Sequence, residues 1–559
     1  MVENRCLGVR EPKCIRSMDP EASRTAMILQ LVEFIQMPNH DADRGQFVRG
    51  VHFFGSASPL NFWDTFRVSE IPDYLESFLD DGFDTILLLV PWAQFQPETD
   101  PIKYCPVSFE RLRAIFQAAL ERNMNVVLRL GYLWEARGVL DQTYRRYNEY
   151  SIRRDLRLAW KEYLAKLYQF ASTQSNFLFA FVSWEDFYWP IFRAGSAGPA
   201  DQRRQRARVN GFRDYLRRRF TLEGLNSIYG LALASWNEVE IPRESDYLYE
   251  LYLPFYENEM LDAISCEAAE SFPGVLMEMR VDPEWIRTPH GRKFYHWNMN
   301  FPGALRKVVY YHANIARSPS HEHSAPEAVL HLRDLLLSYC RMSALGEDKP
   351  FIDQFNFFDD TYAHWTRISE EGIPEFVEKC FEVLSRYSSG YAIWGYQDWP
   401  KDVIYNGTFE LGADGWILMS GASIFALQGS SAPADGKLLL RQGQSVRQQG
   451  FVLKLPADQP RVVAVTGCPM EGSEAKLCIE LNESVAEMNL KGNKQTEYSV
   501  SFKEGDPIML TITAVEGAAT ISQIRLYDRY YSQGFRSHSG TPRPAVEAFR
   551  LLNHRLASR

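Results

Sequence analysis

Two adjacent carboxylates, Glu185 and Asp186, lie in the stretch SWEDFYWP at residues 183–190, directly behind the apolar run FLFAFV at 177–182. Aromatic side chains flank the pair, and apolar surroundings favour the neutral form of a carboxyl group. A carboxylic acid held neutral in this way can protonate a leaving group and later take a proton from water. The alternative is that the pair caps the helix after the strand. We favour acid–base chemistry at Glu185.

Eight short apolar runs, separated by helical patterns, provide the elements that would position this pair between residues 49 and 400. They are GVHFFGSA (50–57), DTILLLVPW (84–92), NVVLRLGY (125–132), FLFAFVSWE (177–185), GVLMEMRVD (274–282), KVVYYHANI (307–315), FIDQFNFF (351–358) and GYAIWGYQDW (390–399). Near-continuous apolar runs between helices are typical of parallel strands buried on both faces. Eight of them predict a closed (β/α)8 barrel, the TIM barrel fold. An open doubly wound sheet is the alternative, but the sequence has no glycine-rich phosphate loop to support it.

The active site of a (β/α)8 barrel lies at the C-terminal ends of its strands. Polar and aromatic residues gather at the predicted ends, namely Trp92, Arg129, Glu185, Glu278, Asp353, Gln354, Trp394 and Asp398. The sequence therefore predicts that these side chains share one face of the barrel.

The pattern changes after residue 402. YNGTFELGADGW at 405–416 opens a series of short alternating runs with glycine, asparagine and aspartate turns, which predicts an inserted antiparallel β-sandwich. The last residues, 543–559, return to helical spacing, and we expect this helix to close the barrel as its eighth. The predicted domains are a helical extension (1–46), the barrel (47–402), the sandwich (403–528) and the returning helix (529–559).

Composition narrows the class of protein. The chain has 559 residues, is 45% apolar and carries a net charge of -10, which allows a large core and argues against nucleic acid as a partner. Its eight cysteines include no CxxC pair, so neither a zinc site nor a disulfide framework is expected. No run approaches the ~18 apolar residues of a membrane span, and no signal peptide is recognisable. These features predict a cytoplasmic protein, with its oligomeric state open.

Several motifs resemble those of the clan A glycoside hydrolases, barrel enzymes that include cellulases, β-xylosidases and bacterial β-galactosidases. PWAQFQP (91–97), KPFIDQF (349–355) and YAIWGYQDW (391–399) resemble the ends of their second, seventh and eighth strands. Residues 212–242 resemble the segment after the fourth strand in family 42 β-galactosidases. YNGTFELGADGW resembles the opening of jelly-roll carbohydrate-binding modules, which often carry a structural calcium ion. The resemblance implies a glycoside hydrolase without a catalytic cofactor.

Two positions depart from that family pattern. In clan A the fourth strand ends in Asn-Glu, whose glutamate is the general acid/base, whereas this chain has Trp184-Glu185. The missing asparagine normally holds the sugar 2-hydroxyl. Gln354 stands where the nucleophilic glutamate of strand seven is expected, and an amide cannot form a normal glycosyl-enzyme intermediate.

Three explanations for the second carboxylate remain open. The first is Glu278, because a glutamate inside an apolar run is costly unless function or an ion pair explains it. The second is Asp353, which would need a β-bulge or register shift to turn toward the same side as Gln354. The third is that the protein binds saccharide without cleaving it.

The remaining candidates would bind substrate. His52 and Arg129 occupy strand positions where related enzymes bind the sugar or orient the nucleophile, although a core histidine and a buried ion pair are equally good explanations. Trp92, Trp134 and Trp394 are candidate stacking platforms, and each could instead belong to the core. Further candidates for polar contacts with the sugar are Asp186, His312, Gln354 and Asp398.

The sequence therefore predicts a glycosidase that cleaves a β-linked glycoside or polysaccharide by a two-carboxylate mechanism. Glu185 is the acid/base, and Glu278 or Asp353 is its partner. The alternatives are a saccharide-binding protein on a glycosidase fold and a transglycosylase. The expected partner is an oligosaccharide or polysaccharide, and no metal ligands are assigned.

Overall fold

The computed structural model describes residues 47–558 with gaps. The longer gaps are 134–141, 288–292, 298–306, 313–321, 343–348, 357–366, 427–435, 453–460 and 501–506. The predicted helical extension (1–46) lies outside the described residues.

Eight parallel strands close into a barrel in which each strand pairs with its neighbours in chain order. The strands are β1 (Val48–His52), β2 (Thr85–Val90), β3 (Asn125–Leu130), β4 (Phe177–Ser183), β5 (Leu276–Met279), β6 (Val308–His312), β7 (Phe351–Asn356) and β8 (Gly390–Ile393). Seven of these strands fall within their predicted apolar runs, and β1 begins two residues before its run. The predicted TIM barrel is confirmed.

Alternate residues of each strand pack in two separate cores. On β2, Leu87 and Leu89 belong to a small cluster inside the barrel, whereas Ile86, Leu88 and Val90 pack outward against the helices. This division identifies which polar residues face the barrel interior.

Helices cover most of the outside of the barrel. They are α1 (Ile71–Asp80), α2 (Pro106–Leu120), α3 (Gln142–Tyr150), α4 (Arg154–Ala171), α5 (Ala200–Val209), α6 (Phe212–Arg219), α7 (Leu222–Tyr229), α8 (Tyr249–Phe255), α9 (Leu261–Ser271), α10 (Ala325–Met342), α11 (Ile373–Tyr387) and α12 (Ala545–Ala557). Between β5 and β6 the described residues form an antiparallel hairpin, Val281–Arg287 with Lys293–Trp297, in place of a helix.

The spacing of apolar residues explains how these helices pack, as α2 illustrates. Pro106 begins the helix, where its missing N–H costs no hydrogen bond. Leu112, Ile115, Phe116 and Ala119 are buried at the i, i+3, i+4 and i+7 spacing that faces the barrel. Within the described residues, no helix combines the length and the apolar character that a membrane crossing requires.

Two antiparallel sheets lie between β8 and α12. Their strands are β9 (Trp399–Asp402), β10 (Ile417–Met419), β11 (Ser423–Ala426), β12 (Gly436–Leu440), β13 (Ser445–Val452), β14 (Arg461–Pro469), β15 (Ala475–Leu481), β16 (Ser484–Leu490), β17 (Lys494–Val500), β18 (Pro507–Glu516) and β19 (Ala519–Tyr531). One sheet has the order β11-β12-β19-β14-β17, with β9 also paired to β19, and the other has the order β10-β13-β18-β15-β16. Apolar residues of both sheets share one core, so the inserted domain is a β-sandwich.

The sandwich contacts the barrel at the segment that follows β1. Thr408 donates a hydrogen bond to the carbonyl of Asp64, and Arg67 donates one to the carbonyl of Ser522. Segments that follow strands lie at the C-terminal end of the barrel. The sandwich therefore borders the end of the barrel at which the predicted site lies.

Asp81, at the end of α1, joins the barrel to the chain that returns from the sandwich. Its buried carboxylate accepts hydrogen bonds from Arg536, Arg550 and the hydroxyl of Tyr396. Its carbonyl accepts one from Asn553 of α12. Helix α12 also packs against β8, where the hydroxyl of Tyr391 donates to Asn553 at 2.5 Å.

Replacement of Asp81 by asparagine should lower the free energy of unfolding by about 3 kcal/mol, because it leaves two arginines without their shared counter-ion. The change would be measured by urea unfolding of the full chain. The matched control is Glu547→Gln, since Glu547 is exposed and its carboxylate lies 3.6 Å from Arg550, which is too far for a strong ion pair. The control should stay within about 0.5 kcal/mol of wild type. Equal effects of the two substitutions would contradict the role given to Asp81.

Candidate active site

Arg129 of β3 lies at the centre of a group of carboxylates inside the C-terminal end of the barrel. Its Nη2 donates to Glu185 Oε2 at 2.8 Å and to Asp186 Oδ1 at 3.1 Å, and its Nε donates to Asp186 Oδ2 at 3.1 Å. Its Nη1 lies 3.9 Å from Asp353 Oδ2. Burial opposes its charge, but Asp186, Glu185, Glu278 and Asp353 together raise the pKa of Arg129 well above its ordinary value. The guanidinium therefore stays charged.

The structure places Arg129 and Asp186 together inside the barrel. Both side chains are fully buried. Asp186 accepts hydrogen bonds from Arg129 and from the backbone N–H of Leu133, at 2.9 Å. These bonds use both of its carboxylate oxygens. The pair organises the site from behind and does not present a surface to a substrate.

Gly131 allows Leu133 to reach Asp186. It follows β3 directly and has a φ of 72°, a conformation that favours glycine. A Cβ atom there would lie 2.1 Å from the Tyr147 hydroxyl oxygen and 2.6 Å from Trp160. Both the backbone conformation and the close packing therefore require glycine at this turn.

Glu185 is the member of the group that solvent reaches. Its side chain is 14% exposed, whereas those of Arg129, Asp186 and Asp353 are 0% exposed. It stands in the first turn of the short helix Trp184–Phe187, which begins as β4 ends. Among the carboxylates bound to Arg129, Glu185 is thus the one placed to meet a ligand.

Ser183, the last residue of β4, links two of the carboxylates. Its hydroxyl accepts a hydrogen bond from the Glu185 N–H at 3.1 Å, which caps the short helix. The same hydroxyl donates to the buried carboxylate of Glu278. Ser183 and Glu278 are register partners of β4 and β5, and so their side chains point the same way.

A β-bulge in β7 turns Asp353 toward Arg129. Val309 of β6 pairs with Ile352, but the next residue of β6 pairs with Gln354, which leaves Asp353 as the extra residue. Ile352 and Phe355 both pack in the outer core, so the two residues between them fall on the inner side. The register shift that Asp353 required is confirmed.

His52 of β1 supports this bulge. Its Nε2 lies 2.5 Å from the carbonyl oxygen of Asp353. A carbonyl only accepts, so Nε2 carries the proton. The His52 ring packs edge-on against Trp394 at 4.8 Å between ring centres. Trp394 is half-buried and remains a candidate platform for a sugar ring.

Two further candidates for substrate contact, Trp92 and Asp398, are buried and bonded to other parts of the chain. Trp92 is fully buried, its N–H donates to Gln96, and its ring packs against Tyr147 and Trp160. A ring with no exposed face cannot stack on a ligand. Asp398 accepts from the Gly534 N–H and, at 2.6 Å, from Arg543. It braces the returning chain and takes a structural role.

One candidate lies outside the described residues, and the side chain of another is not described. Trp134 falls in the 134–141 gap. The backbone of His312 pairs with Asn356 at the end of β6, but its side chain is not described. Gln354 is buried on the inner side of the β7 bulge.

Ser183 and Tyr310 are on the inner side of the barrel but were not among the predicted site residues. Ser183 is two residues before Glu185, and its strand position would have placed it opposite Glu278. Tyr310 pairs with Gln354 and alternates with Val308, which belongs to the cluster inside the barrel. The alternation rule applied to every residue of a strand end, and not to charged residues alone, would have found both.

An aromatic stack supports the segment that carries Glu185. The Trp184 ring stacks on Tyr188 at 4.2 Å, Tyr188 stacks on Phe192 at 5.0 Å, and Phe192 stacks on Tyr252 at 4.8 Å. Tyr188–Arg193 forms a π-helical turn, which brings these rings into line. The stack fixes the backbone on both sides of the two carboxylates.

Charge and burial compete at Asp186. Burial raises the pKa of its carboxyl group, the bound Arg129 lowers it, and the charge of Glu185 raises it, with a net rise to about 6. The Tyr147 and Tyr256 hydroxyls respond to the same carboxylate, and burial raises the pKa of each well above its ordinary value. Both phenols are therefore neutral.

Comparison with known proteins gives distant structural likenesses. No protein-family model and no curated protein matches the chain. GH5_18 from Streptomyces cattleya, solved in complex with GlcNAc, is 18% identical with a TM-score of 0.39, over 64% of this chain and 72% of that one. A β-galactosidase from Marinomonas ef1 is 11% identical with a TM-score of 0.43, over 63% of this chain and 54% of that one. The chain thus spans about half of that β-galactosidase.

A shorter part of the chain has a second likeness. The CBM22-1 xylan-binding domain of Paenibacillus barcinonensis Xyn10C is 15% identical with a TM-score of 0.17, over 22% of this chain and 90% of that domain. Among the described aromatic residues of the sandwich, Phe409, Trp416 and Tyr527 are buried. Because all of these likenesses are distant, the geometry of the site itself is the basis for a functional proposal.

Replacement of Ser183 by alanine should lower the free energy of unfolding by about 2 to 3 kcal/mol, because it removes a helix cap and the hydroxyl donor to a buried carboxylate. The matched control is Ser369→Ala. Ser369 also caps a helical turn, through the Gly372 N–H, and should cost about 1 kcal/mol. Urea unfolding of both variants gives the comparison. Equal losses would show that the bond to Glu278 contributes nothing.

Protonation of Asp186 should stabilise the fold. Its folded-state pKa of about 6 lies above that of an unfolded aspartate, so this stabilisation is complete below about pH 4 and is lost as the pH rises through 6. The stability of Asp186→Asn relative to wild type should therefore increase by about 2 kcal/mol between pH 4 and pH 7. Urea unfolding at the two pH values measures the difference. A difference that is constant, or that falls with pH, would contradict the assignment.

Proposed function

We propose that the protein is a glycoside hydrolase that cleaves a β-linked glycoside or polysaccharide, with Glu185 as general acid/base. One observation carries the proposal. Within the carboxylates gathered around Arg129 at the C-terminal end of a closed barrel, Glu185 alone has a partly exposed side chain. A proton donor for a glycosidic oxygen needs this combination of access and partly buried surroundings.

Asp353 is the better-placed second carboxylate. Glu278 pairs with Val308, and Val308 pairs with Phe351, so Asp353 lies two residues nearer the mouth of the barrel than Glu278. Asp353 approaches the same guanidinium as Glu185, but from its other terminal nitrogen. Glu278 lies deeper and accepts the hydroxyl of Ser183. We assign Asp353 to the reaction and Glu278 to the support of Ser183.

The chemistry follows from these assignments. Glu185 gives its proton to the glycosidic oxygen as the bond to the anomeric carbon breaks. Asp353 then either attacks that carbon or takes a proton from the water that does so. In the first case Glu185, now ionised, deprotonates the water that releases the sugar. The separation of the reacting carboxylates in the complex with substrate decides between the two courses.

His52 and Trp394 have supporting roles in this scheme. The bond from His52 to the Asp353 carbonyl fixes the bulge, and therefore the direction of the Asp353 side chain. Trp394 has a partly exposed ring beside His52, where a sugar ring could stack. The His52 imidazole thus contacts both the proposed sugar-binding ring of Trp394 and the backbone of the reacting residue Asp353.

A saccharide-binding protein without catalysis is the second candidate. The observation that favours it is the burial of Gln354 at the bulge, together with the complete burial of Asp353 and Glu278. A nucleophile has to reach the anomeric carbon, and a fully buried carboxylate does so only after the site opens. Hydrolysis assays decide between the candidates.

The decisive experiment compares wild type with Glu185→Gln, Asp353→Asn and Glu278→Gln on aryl β-glycosides and on polysaccharides. Glu185→Gln should lose a factor of about 10² to 10⁴ on 4-nitrophenyl glycosides. Its bond-breaking step should lose far less with 2,4-dinitrophenyl glycosides, whose leaving group needs no proton. Asp353→Asn should lose activity on both, and Glu278→Gln should lose less than either.

The control variant is Glu270→Gln, an exposed glutamate paired with Lys161 on the outside of the barrel, which should keep full activity. If Glu185→Gln loses activity equally on 4-nitrophenyl and 2,4-dinitrophenyl glycosides, Glu185 is not the acid. If wild type binds glycans but hydrolyses none of them, the hydrolase proposal is wrong and the protein is a saccharide-binding protein.

A further inference from the structure

We propose that Trp399 is a positioning residue that holds the ring of Trp394, the proposed stacking platform for a sugar, and that the sandwich thereby forms part of the substrate-binding wall. Trp399 belongs to β9, a strand that pairs with the sandwich, whereas Trp394 directly follows β8 of the barrel. The inference rests on the proposed function, because it takes Trp394 as the ring that meets the substrate.

The ring of Trp394 packs against aromatic rings from both domains. From the barrel, His52 meets it edge-on at 4.8 Å between ring centres, and Phe54 lies tilted at 5.6 Å. From β9, Trp399 meets it edge-on at 6.0 Å, with 89° between the ring planes. Edge-to-face pairs at such separations are favourable, and they fix the orientation of a ring. The orientation of Trp394 therefore depends on the sandwich strand as well as on the barrel.

Burial separates the two tryptophans by role. Trp399 is 4% exposed and Phe54 is 3% exposed, and their rings contact each other edge-on at 5.1 Å. Trp394, in contrast, is partly exposed. A ring without an open face cannot stack on a sugar. Trp399 therefore acts on a ligand through the ring of Trp394 that it supports.

The sandwich fixes the place of Trp399. Strand β9 pairs with β19, which pairs in turn with β12 and β14 of the same sheet. The residue before Trp399, Asp398, donates its N–H to the Arg536 carbonyl and accepts the Gly534 N–H. A Cβ atom on Gly534 would lie 2.4 Å from the backbone of Gln397, so the two segments are in close contact. A shift of the sandwich sheet would therefore move Trp399.

Fluorine NMR of the full chain labelled with 5-fluorotryptophan tests the contact without turnover. The resonance that disappears in Trp394→Phe belongs to Trp394. It should shift in Trp399→Leu, because the contacting aromatic ring is lost. The matched control is Trp416→Leu, since Trp416 is buried against Phe409 in the sandwich core and its loss also destabilises that domain. A Trp394 resonance that is unmoved in Trp399→Leu, or that moves as far in the control, would overturn the inference.

Hydrolysis of a 4-nitrophenyl β-glycoside that wild type cleaves gives the functional readout. Trp399→Leu should raise KM about fivefold with kcat nearly unchanged, because the lost contact affects substrate binding and leaves the reacting carboxylates in place. Trp399→Phe, which keeps an aromatic ring, should recover most of this loss. A fall in kcat with KM unchanged in Trp399→Leu would overturn the inference.

A double variant tests whether Trp399 acts through Trp394. Trp394→Ala alone should raise KM about tenfold. The addition of Trp399→Leu to that variant should raise KM no further, because the ring that Trp399 supports is already absent. Effects on KM that multiply in the double variant would contradict the positioning role.

The two proposals fail separately. If wild type hydrolyses no glycoside but the Trp394 resonance shifts as expected, the proposed function fails and the positioning role stands. If Glu185→Gln loses activity as expected but the Trp394 resonance does not move in Trp399→Leu, the positioning role fails and the proposed function stands. If Trp399→Leu does not fold, Trp399→Phe replaces it. Its smaller ring should still shift the Trp394 resonance, and an unmoved resonance would overturn the inference.

Discussion

The buried guanidinium of Arg129 is the constraint on which the site depends. Taking a cation out of water is expensive, and only carboxylates brought to it from other strands offset that expense. Strands β3, β4 and β7 each contribute to this arrangement. The cluster also restricts the barrel, because a shift of register in any of these strands would leave a buried charge without its partner. The same interaction that organises the chemistry therefore fixes the alignment of the strands.

Solvent access separates the carboxylates into two kinds. Asp186, Glu278 and Asp353 are fully buried, whereas Glu185 reaches solvent. Such a division lets one charged cluster serve both stability and reactivity. Arg129 binds one oxygen of Glu185 and fixes the direction of this side chain, which is partly exposed and can still meet a ligand.

Local pattern was enough to predict the barrel and the position of Glu185, because apolar runs of strand length and strand alternation are short-range properties. Alternation also indicated that Asp353 could join the side of Gln354 only through a bulge or a register shift. The local pattern could not predict which residues far apart in the chain contact one another. Arg129 meets Glu185 across 56 residues, and Asp398 meets Arg543 across 145. The burial of Trp92 depends on rings supplied by α3 and α4, which no property of PWAQFQP reveals.

The place of the sandwich in the chain has a consequence for how the protein is made. The helix that covers β1 and β8 is α12, and it follows every strand of the sandwich. A ribosome that has finished all eight barrel strands has therefore not yet produced the helix that seals their seam. Until then Tyr391 and the end of α1 lack their covering surface, and the nascent barrel has an open apolar edge. Synthesis of the sandwich thus sets the interval during which that edge needs protection.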